Sequence, residues 1–196
     1  DAQGKDIYYQ GESTKKLPVN LAVSYKLDGK NISSEELVGK SGRVTMRFDY
    51  TNNEYEKVSI DGKEETIYVP FVMLTGMMLD NDTFTNVEVS NGKLINDGDK
   101  SVVIGLALPG LQQNLNISKE KLELPDYVEI TADVENFEIT TTLTVATNDV
   151  FGQLDMDSVG SIDDLKNAMS SLTGAMDQLL DGSSELYTGV ATLLDK

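Results

Sequence analysis

Alternation of apolar and polar residues is the dominant pattern in the first three quarters of the chain. Residues 19–27 place Val, Leu, Val, Tyr and Leu at every second position, and residues 44–50 repeat the pattern with Val, Met, Phe and Tyr. Successive side chains of a β-strand point to opposite faces, so a period of two indicates half-buried strands. Residues 102–108 are apolar without interruption, which predicts a strand buried on both faces and ended by Pro109-Gly110.

Turn-forming dipeptides divide much of this region into predicted hairpins. Asp61-Gly62 joins residues 57–60 to 65–72, Asn91-Gly92 joins 87–89 to 94–95, and Glu135-Asn136 joins 127–134 to 137–145. Asn-Gly and Asp-Gly favour the type I′ turn, which connects adjacent antiparallel strands. The turn at Asp28-Gly29 ends the strand at 19–27 in the same way.

Two short helices and two apolar runs are also predicted within the first 150 residues. Ser33 and Glu36 form a capping box that predicts one helical turn, and residues 111–115 read as a second short helix. Residues 71–79 are densely apolar but broken by Gly76, and residues 7–9 (Ile-Tyr-Tyr) form a short apolar run. Many short strands separated by turns predict a mainly β chain, folded as an antiparallel β-sandwich over residues 1–150.

A period of seven replaces the period of two in the last 36 residues of the chain. It predicts an amphipathic heptad helix over residues 161–196 that buries one narrow a/d stripe against another helix. The residues of this helix-association seam are Ile162, Leu165, Met169, Leu172, Met176, Leu179, Leu186, Val190 and Leu193. A second series of small residues recurs in the same phase, at Ala168, Ala175, Gly182 and Gly189. Glycine costs a helix interior about 1 kcal/mol relative to alanine, so these glycines indicate a face where a partner packs closely.

Residues 151–160 are rich in Asp, Gly and Ser and read as a linker, after which Ser161 caps the helix. A single narrow seam needs a partner. Three partners fit: the body of the same chain, a neighbouring copy, or the continuation of the same chain beyond residue 196.

The net charge and the absent residue types exclude several kinds of partner and catalytic site. The net charge of −17 repels phosphate backbones, so nucleic acid is not an expected partner. The chain contains no His, Cys or Trp. Triads that rely on histidine, zinc–thiolate sites and disulfides are thereby excluded. We therefore expect no catalytic residues, no enzyme activity and no cofactor.

Acidic pairs leave calcium as a weaker possibility. Asp155 and Asp157 match the first and third positions of a calcium loop, but the twelfth position, normally a bidentate Glu, is Lys166. Asp80 and Asp82 form another pair in a turn-like sequence, where Asp is favoured for its backbone hydrogen bonds. At both places we favour capping and turn formation over calcium binding.

The repeated Leu-x-x-Gly unit carries a family resemblance. Leu179-Leu-Asp-Gly182 and Leu186-Tyr-Thr-Gly189 resemble the X-X-X-Leu-X-X-Gly heptad-repeat proteins of Gram-positive bacteria, which include the phage-infection-protein-like (YhgE/Pip) surface proteins. The segments Arg47-Phe-Asp-Tyr-Thr-Asn52, Val69-Pro-Phe-Val72 and Val145-Ala-Thr-Asn-Asp-Val-Phe151 are similar to the domain that precedes this array in clostridial members. The resemblance implies a secreted N-terminal region, a helical stalk and a membrane anchor outside this chain. It supplies no catalytic residues.

Three functions follow as expectations. The leading one is a non-enzymatic extracellular display, adhesion or structural module of a bacterial cell surface, which associates with protein through the heptad seam. The alternative is a ligand-binding domain for cell-wall glycan or a peptide that uses one sheet face. The third is a hydrolase that works without histidine, which would need two carboxylates facing each other across a cleft, about 5–9.5 Å apart.

Overall fold

The computed structural model describes residues 15–138 and 141–148, together with the helical positions 163, 166, 167, 170, 171, 174 and 178. The described chain is mainly β, with antiparallel sheets and few helices. The strands are β1 (Val19–Leu27), β2 (Lys30–Ile32), β3 (Gly42–Asn52), β4 (Tyr55–Ile60), β5 (Lys63–Tyr68), β6 (Val72–Asp80), β7 (Phe84–Val89), β8 (Gly92–Asp97), β9 (Lys100–Ala107), β10 (Tyr127–Val134) and β11 (Thr142–Thr147). Two short helices are α1 (Ser34–Leu37) and α2 (Leu111–Leu115).

A five-stranded sheet has the order β2-β1-β3-β10-β7. Its central strand, β3, buries every second residue, as the alternation at 44–50 predicts: Val44, Met46, Phe48 and Tyr50 are each at most 4% exposed. The predicted strand at 19–27 is confirmed as β1. It turns at Asp28 and Gly29, which both have the positive φ of a type I′ turn.

A four-stranded sheet has the order β11-β6-β9-β8, and β4 and β5 form a separate hairpin. One cluster of buried side chains contains residues of both larger sheets, among them Phe48 and Val128 from one sheet and Met77 and Val103 from the other. A smaller cluster lies under α2, where Leu111 packs with Val72 and Leu106. The two larger sheets thus share one hydrophobic core.

Both predicted short helices are confirmed. The Ser33 Oγ accepts a hydrogen bond from the Glu36 backbone N–H at 3.3 Å, which caps α1, and Leu37 anchors that helix in the core. The hairpin at Asp61-Gly62 is confirmed as β4–β5, although β5 ends at Tyr68, before the Pro70 that cannot donate to a strand ladder. Gly76 does not break the apolar run at 71–79, because β6 continues through it and pairs it with Ile104.

Two of the predicted hairpins are wrong. β7 pairs with β10 and β8 pairs with β9, so the segment around Asn91-Gly92 carries the chain from one sheet to the other. β10 and β11 likewise lie in different sheets, and β11 pairs with β6. Phe137, predicted to begin the strand after the turn, is instead a core residue that contacts the rings of Tyr25 and Phe84 edge to face.

Candidate functional site

The predicted helix seam lies outside the described residues. This holds for all nine seam residues (Ile162, Leu165, Met169, Leu172, Met176, Leu179, Leu186, Val190 and Leu193) and for the small residues Ala168, Ala175, Gly182 and Gly189. The predicted linker at 151–160, with Asp155 and Asp157, also lies outside.

Seven positions between residues 163 and 178 are described, and all seven are helical. Ser170 and Ser171 donate through Oγ to the carbonyls of Lys166 and Asn167, each at 2.9 Å, which is the back-bonding pattern of serine in a helix. None of the seven positions is an a or d position of the heptad. These seven residues therefore lie on the side of the helix away from the predicted seam.

The acidic pair Asp80 and Asp82 lies in the turn between β6 and β7. The Asp80 carboxylate accepts a hydrogen bond from the Asp82 backbone N–H at 3.0 Å, so it serves the turn directly. Within the described part of the chain, no group of three acidic side chains could hold a metal ion. There is also no helix there that is long and apolar enough to cross a membrane.

An apolar strip lies on the outer face of the four-stranded sheet, away from the shared core. We define the β11 strip as Met78, Leu143 and Val145, whose side chains are 51%, 66% and 45% exposed. β11 is an edge strand, and its outward residues alternate with Thr142, Thr144 and Ala146, which face inward. Gly76 is paired with Leu143 and adds no side chain to this face. Exposed apolar surface of this kind suits protein association.

A cleft of about 370 Å³ opens where β7 and β8 flank the gap between the two sheets. Its lining residues are Asn81, Phe84, Thr85, Asn86, Val87, Leu94, Asn96 and Ser101. These side chains supply amides, hydroxyls and apolar surface, which suits binding of a polar uncharged ligand more than acid–base chemistry.

Much of the polar lining of this cleft is already hydrogen-bonded within the protein. Asn81 donates to the Asn96 Oδ1 at 3.2 Å and accepts from the Ser101 Oγ at 2.7 Å. Asn86, in the left-handed conformation at φ 49°, donates to the Asp133 carboxylate at 2.8 Å. The amides therefore shape the rim, and a ligand would find fewer free donors than the composition suggests.

A ladder of ion pairs covers the outer face of the five-stranded sheet. Both arginines of the chain, Arg43 and Arg47, project there from β3. Arg43 pairs with Glu88 at 3.2 Å and with Asp133 at 3.1 Å. Arg47 pairs with Asp49 and Glu129 at 2.8 and 3.4 Å. Its guanidinium also lies 3.7 Å from the centre of the Tyr127 ring. This stacking occupies one face of an aromatic ring that could otherwise support a sugar.

The ladder shifts the ionisation of two of its members. Hydrogen bonds from Asn86 and then Arg43, together with the charge of Arg43, hold the pKa of Asp133 below its ordinary value. For Arg47, partial burial acts to lower the pKa, but the hydrogen bonds and charges of Asp49 and Glu129 outweigh it and raise the pKa. Both groups stay charged across the physiological range, so the ladder is a fixed electrostatic feature.

The cleft, the ladder and the β11 strip were not predicted from the sequence. The ladder had a usable signal, because Arg43 and Arg47 lie at odd positions of an alternating strand whose even positions are apolar. The sequence contains no such signal for the cleft, because the cleft depends on the chain crossing between the two sheets at residues 90–91. Comparisons with protein-family models, curated proteins and solved structures give no match to this chain.

Proposed function

We propose that this chain is a non-enzymatic extracellular module of a bacterial surface protein, a β-sandwich mounted on a heptad-repeat helix, which associates with protein through the helical seam. The shared core of the two larger sheets supports the sandwich arrangement. The Gram-positive surface setting, with an anchor outside these residues, rests on the Leu-x-x-Gly repeats at 179–189.

The β11 strip is the observation that carries this proposal. It places exposed Leu143 and Val145 on the edge strand that directly precedes the predicted linker and helix. A neighbouring helical seam, from a second copy or from the continued chain, would find apolar surface at the base of the stalk as well as along it. Removing apolar surface from water contributes about 25 cal/mol per Å², so both surfaces favour association.

One pair of variants tests the seam by circular dichroism. We expect Leu179→Asp to lower the helix content, because it puts a charge into the apolar stripe on which the helix depends. Gln178→Asp is the matched control: it adds the same charge one position away, at an exposed helical position off the seam. If both variants keep the helix content of the parent chain, the seam is not used.

The cleft between β7 and β8 favours a second function, the binding of cell-wall glycan or a peptide. Its mixture of Leu94 and Val87 with the amides of Asn86 and Asn96 is the composition of a small-ligand site. A glycan and peptide array probed with the parent chain and with Leu94→Asp separates the two functions. Binding that the parent has and the variant lacks would favour the receptor role. Identical array signals for both proteins would assign no ligand to the cleft.

A further inference from the structure

At one end of the five-stranded sheet, the three-residue strand β2 covers only part of the outer edge of β1. β2 pairs with β1 only from Tyr25 to Leu27, while β3 pairs with β1 over its full length. Among the described residues, no strand pairs with residues 19–24 on the side away from β3. This open segment, which we call the β1 edge, is six residues long.

Two hydrogen bonds determine which backbone groups face the β1 edge. At one end of β1, Asp28 N donates to Arg43 O at 2.8 Å, and at the other, Asn53 N donates to Pro18 O at 2.8 Å. Backbone groups of successive strand residues point to opposite sides, so the even-numbered residues of β1 bond to β3. The N–H and C=O groups of Val19, Leu21 and Val23 therefore face the open edge.

The side chains along the β1 edge are apolar and incompletely covered. Leu21 and Val23 are 42% and 40% exposed, although Tyr50 and Phe48, which lie opposite them on β3, are buried. The β1 edge thus combines backbone groups that have no strand partner among the described residues with apolar side chains on the core face. Natural proteins usually cover such an edge, because it invites strand addition.

We propose that residues 5–9 of this same chain add to the β1 edge as a strand antiparallel to β1. Lys-Asp-Ile-Tyr-Tyr is rich in residues that favour strands, and Ile7 and Tyr9 lie on one face of such a strand. Residues 10–18 connect the two segments, which is long enough for a hairpin loop. Six residues at about 3.4 Å each span about 20 Å, enough for five residues to pair.

The register of this pairing depends on whether odd-numbered residues lie opposite odd-numbered or even-numbered ones. Residues directly opposite each other in an antiparallel pair point to the same face, so odd residues must lie opposite odd ones for Ile7 and Tyr9 to cover Leu21 and Val23. Tyr9 then lies opposite Val19, because Tyr9 opposite Leu21 would place Lys5 opposite Tyr25, which already pairs with Ile32. A slip by one residue would turn Ile7 and Tyr9 to solvent and leave the core face of β1 open.

Amide hydrogen exchange, measured by NMR on the full chain and on the chain lacking residues 1–14, tests the pairing. In the full chain we expect the N–H groups of Val19, Leu21 and Val23 to exchange at least about tenfold more slowly than in the truncated chain. Asn20, Ala22 and Ser24 are internal controls, because their N–H groups bond to β3 in both proteins. Equal exchange of the odd-numbered amides in the two folded proteins would overturn the proposal.

Engineered disulfides test the register and the identity of the strand in the full-length chain. The chain has no cysteine, so no native thiol can compete with an engineered cysteine pair. Even-numbered residues form the non-hydrogen-bonded pairs of this edge, with Cα atoms about 4.5 Å apart, which suits a disulfide. We expect Tyr8→Cys to form an intrachain disulfide with Asn20→Cys, and far more slowly with the off-parity control Leu21→Cys.

The remaining outcomes of this experiment oppose the proposal. An interchain disulfide that grows with protein concentration would assign the β1 edge to a second copy of the chain. Failure of the Tyr8→Cys and Asn20→Cys pair to oxidise, while the chain stays folded, would show that residues 5–9 do not pair with the β1 edge. The pairing is independent of the proposed function, since neither result depends on the heptad seam.

Discussion

Two glycines in adjacent strands of the four-stranded sheet have opposite surroundings. Gly105 faces the other sheet, where a Cβ atom would meet both methyl groups of Val128. Gly76 faces outward, and its nearest neighbour to such an atom is the Leu143 carbonyl oxygen at 3.9 Å. At Gly105, the absence of a side chain sets how closely β9 of one sheet approaches β10 of the other.

We expect Gly105→Ala to lower the free energy of unfolding by about 1–3 kcal/mol, because the added methyl group overpacks the core between the sheets. Gly76→Ala is the matched control. It should be neutral, or stabilising by up to about 1 kcal/mol, because it restricts the unfolded chain without a clash in the folded one. Urea unfolding measures the free energy of unfolding of both variants. Equal effects at the two sites would contradict the close approach of the sheets.

The ion-pair ladder predicts a pH dependence that belongs to Asp133. Because Asn86 and Arg43 lower its pKa in the folded protein, Asp133 contributes stability that is present above its unfolded pKa, about 3.9. That contribution is lost as the pH falls through the folded pKa. Asp133→Asn should therefore show a smaller loss of unfolding free energy between pH 7 and pH 3 than the parent chain. Asp61→Asn, a charge-matched change in the β4–β5 turn, controls for the change in net charge, and an Asp133→Asn variant with the same loss as the parent would contradict the prediction.

At the scale of elements, the sequence predicts strands well and their partners poorly. Strands such as β1, β3 and β10 follow from alternation, since a half-buried strand needs it wherever it pairs. Which strands pair depends on whether the turn between them forms a hairpin or carries the chain to the other sheet. Asp28-Gly29 and Asp61-Gly62 have positive φ at both residues and make true hairpins.

Asn91-Gly92 has the same composition as a hairpin turn but a different role. Asn91 has a positive φ, whereas Gly92 begins β8 opposite Gly105, whose Cα lies 2.8 Å from where a Gly92 Cβ would be. Glycine is needed there for a close backbone approach, which the dipeptide itself cannot reveal. The cleft between β7 and β8 depends on this crossing, so it was not predictable from local sequence.

Asn114 joins α2 to the end of β5. Its side chain donates to the Tyr68 carbonyl at 2.7 Å and accepts from the Tyr68 N–H at 2.8 Å. We expect Asn114→Ala to cost about 1–3 kcal/mol of unfolding free energy, from two lost hydrogen bonds of about 0.5–1.5 kcal/mol each. Gln113→Ala changes the exposed neighbour on the same helix and should cost less than about 0.5 kcal/mol. Equal losses would mean that Asn114 does not fasten α2 to the hairpin.

At the scale of the whole molecule, the chain enters and leaves the β region at one end. Val19 begins β1 opposite Asn52, whose side chain donates to the Val69 carbonyl at 2.7 Å. Thr147 ends β11 opposite Val72, three residues further along the same segment. The start of β1 and the end of β11 thus lie at the same end of the β region. In the proposed module this end is the base of the stalk.

Sedimentation equilibrium of the full chain over a range of concentrations is the most direct test of association through the seam. We expect the average mass to rise above 21.4 kDa with concentration for the parent chain and for Gln178→Asp. We expect Leu179→Asp to stay at the monomer mass. A parent chain that remains at 21.4 kDa throughout, or a Leu179→Asp variant that associates as the parent does, would contradict association through the seam.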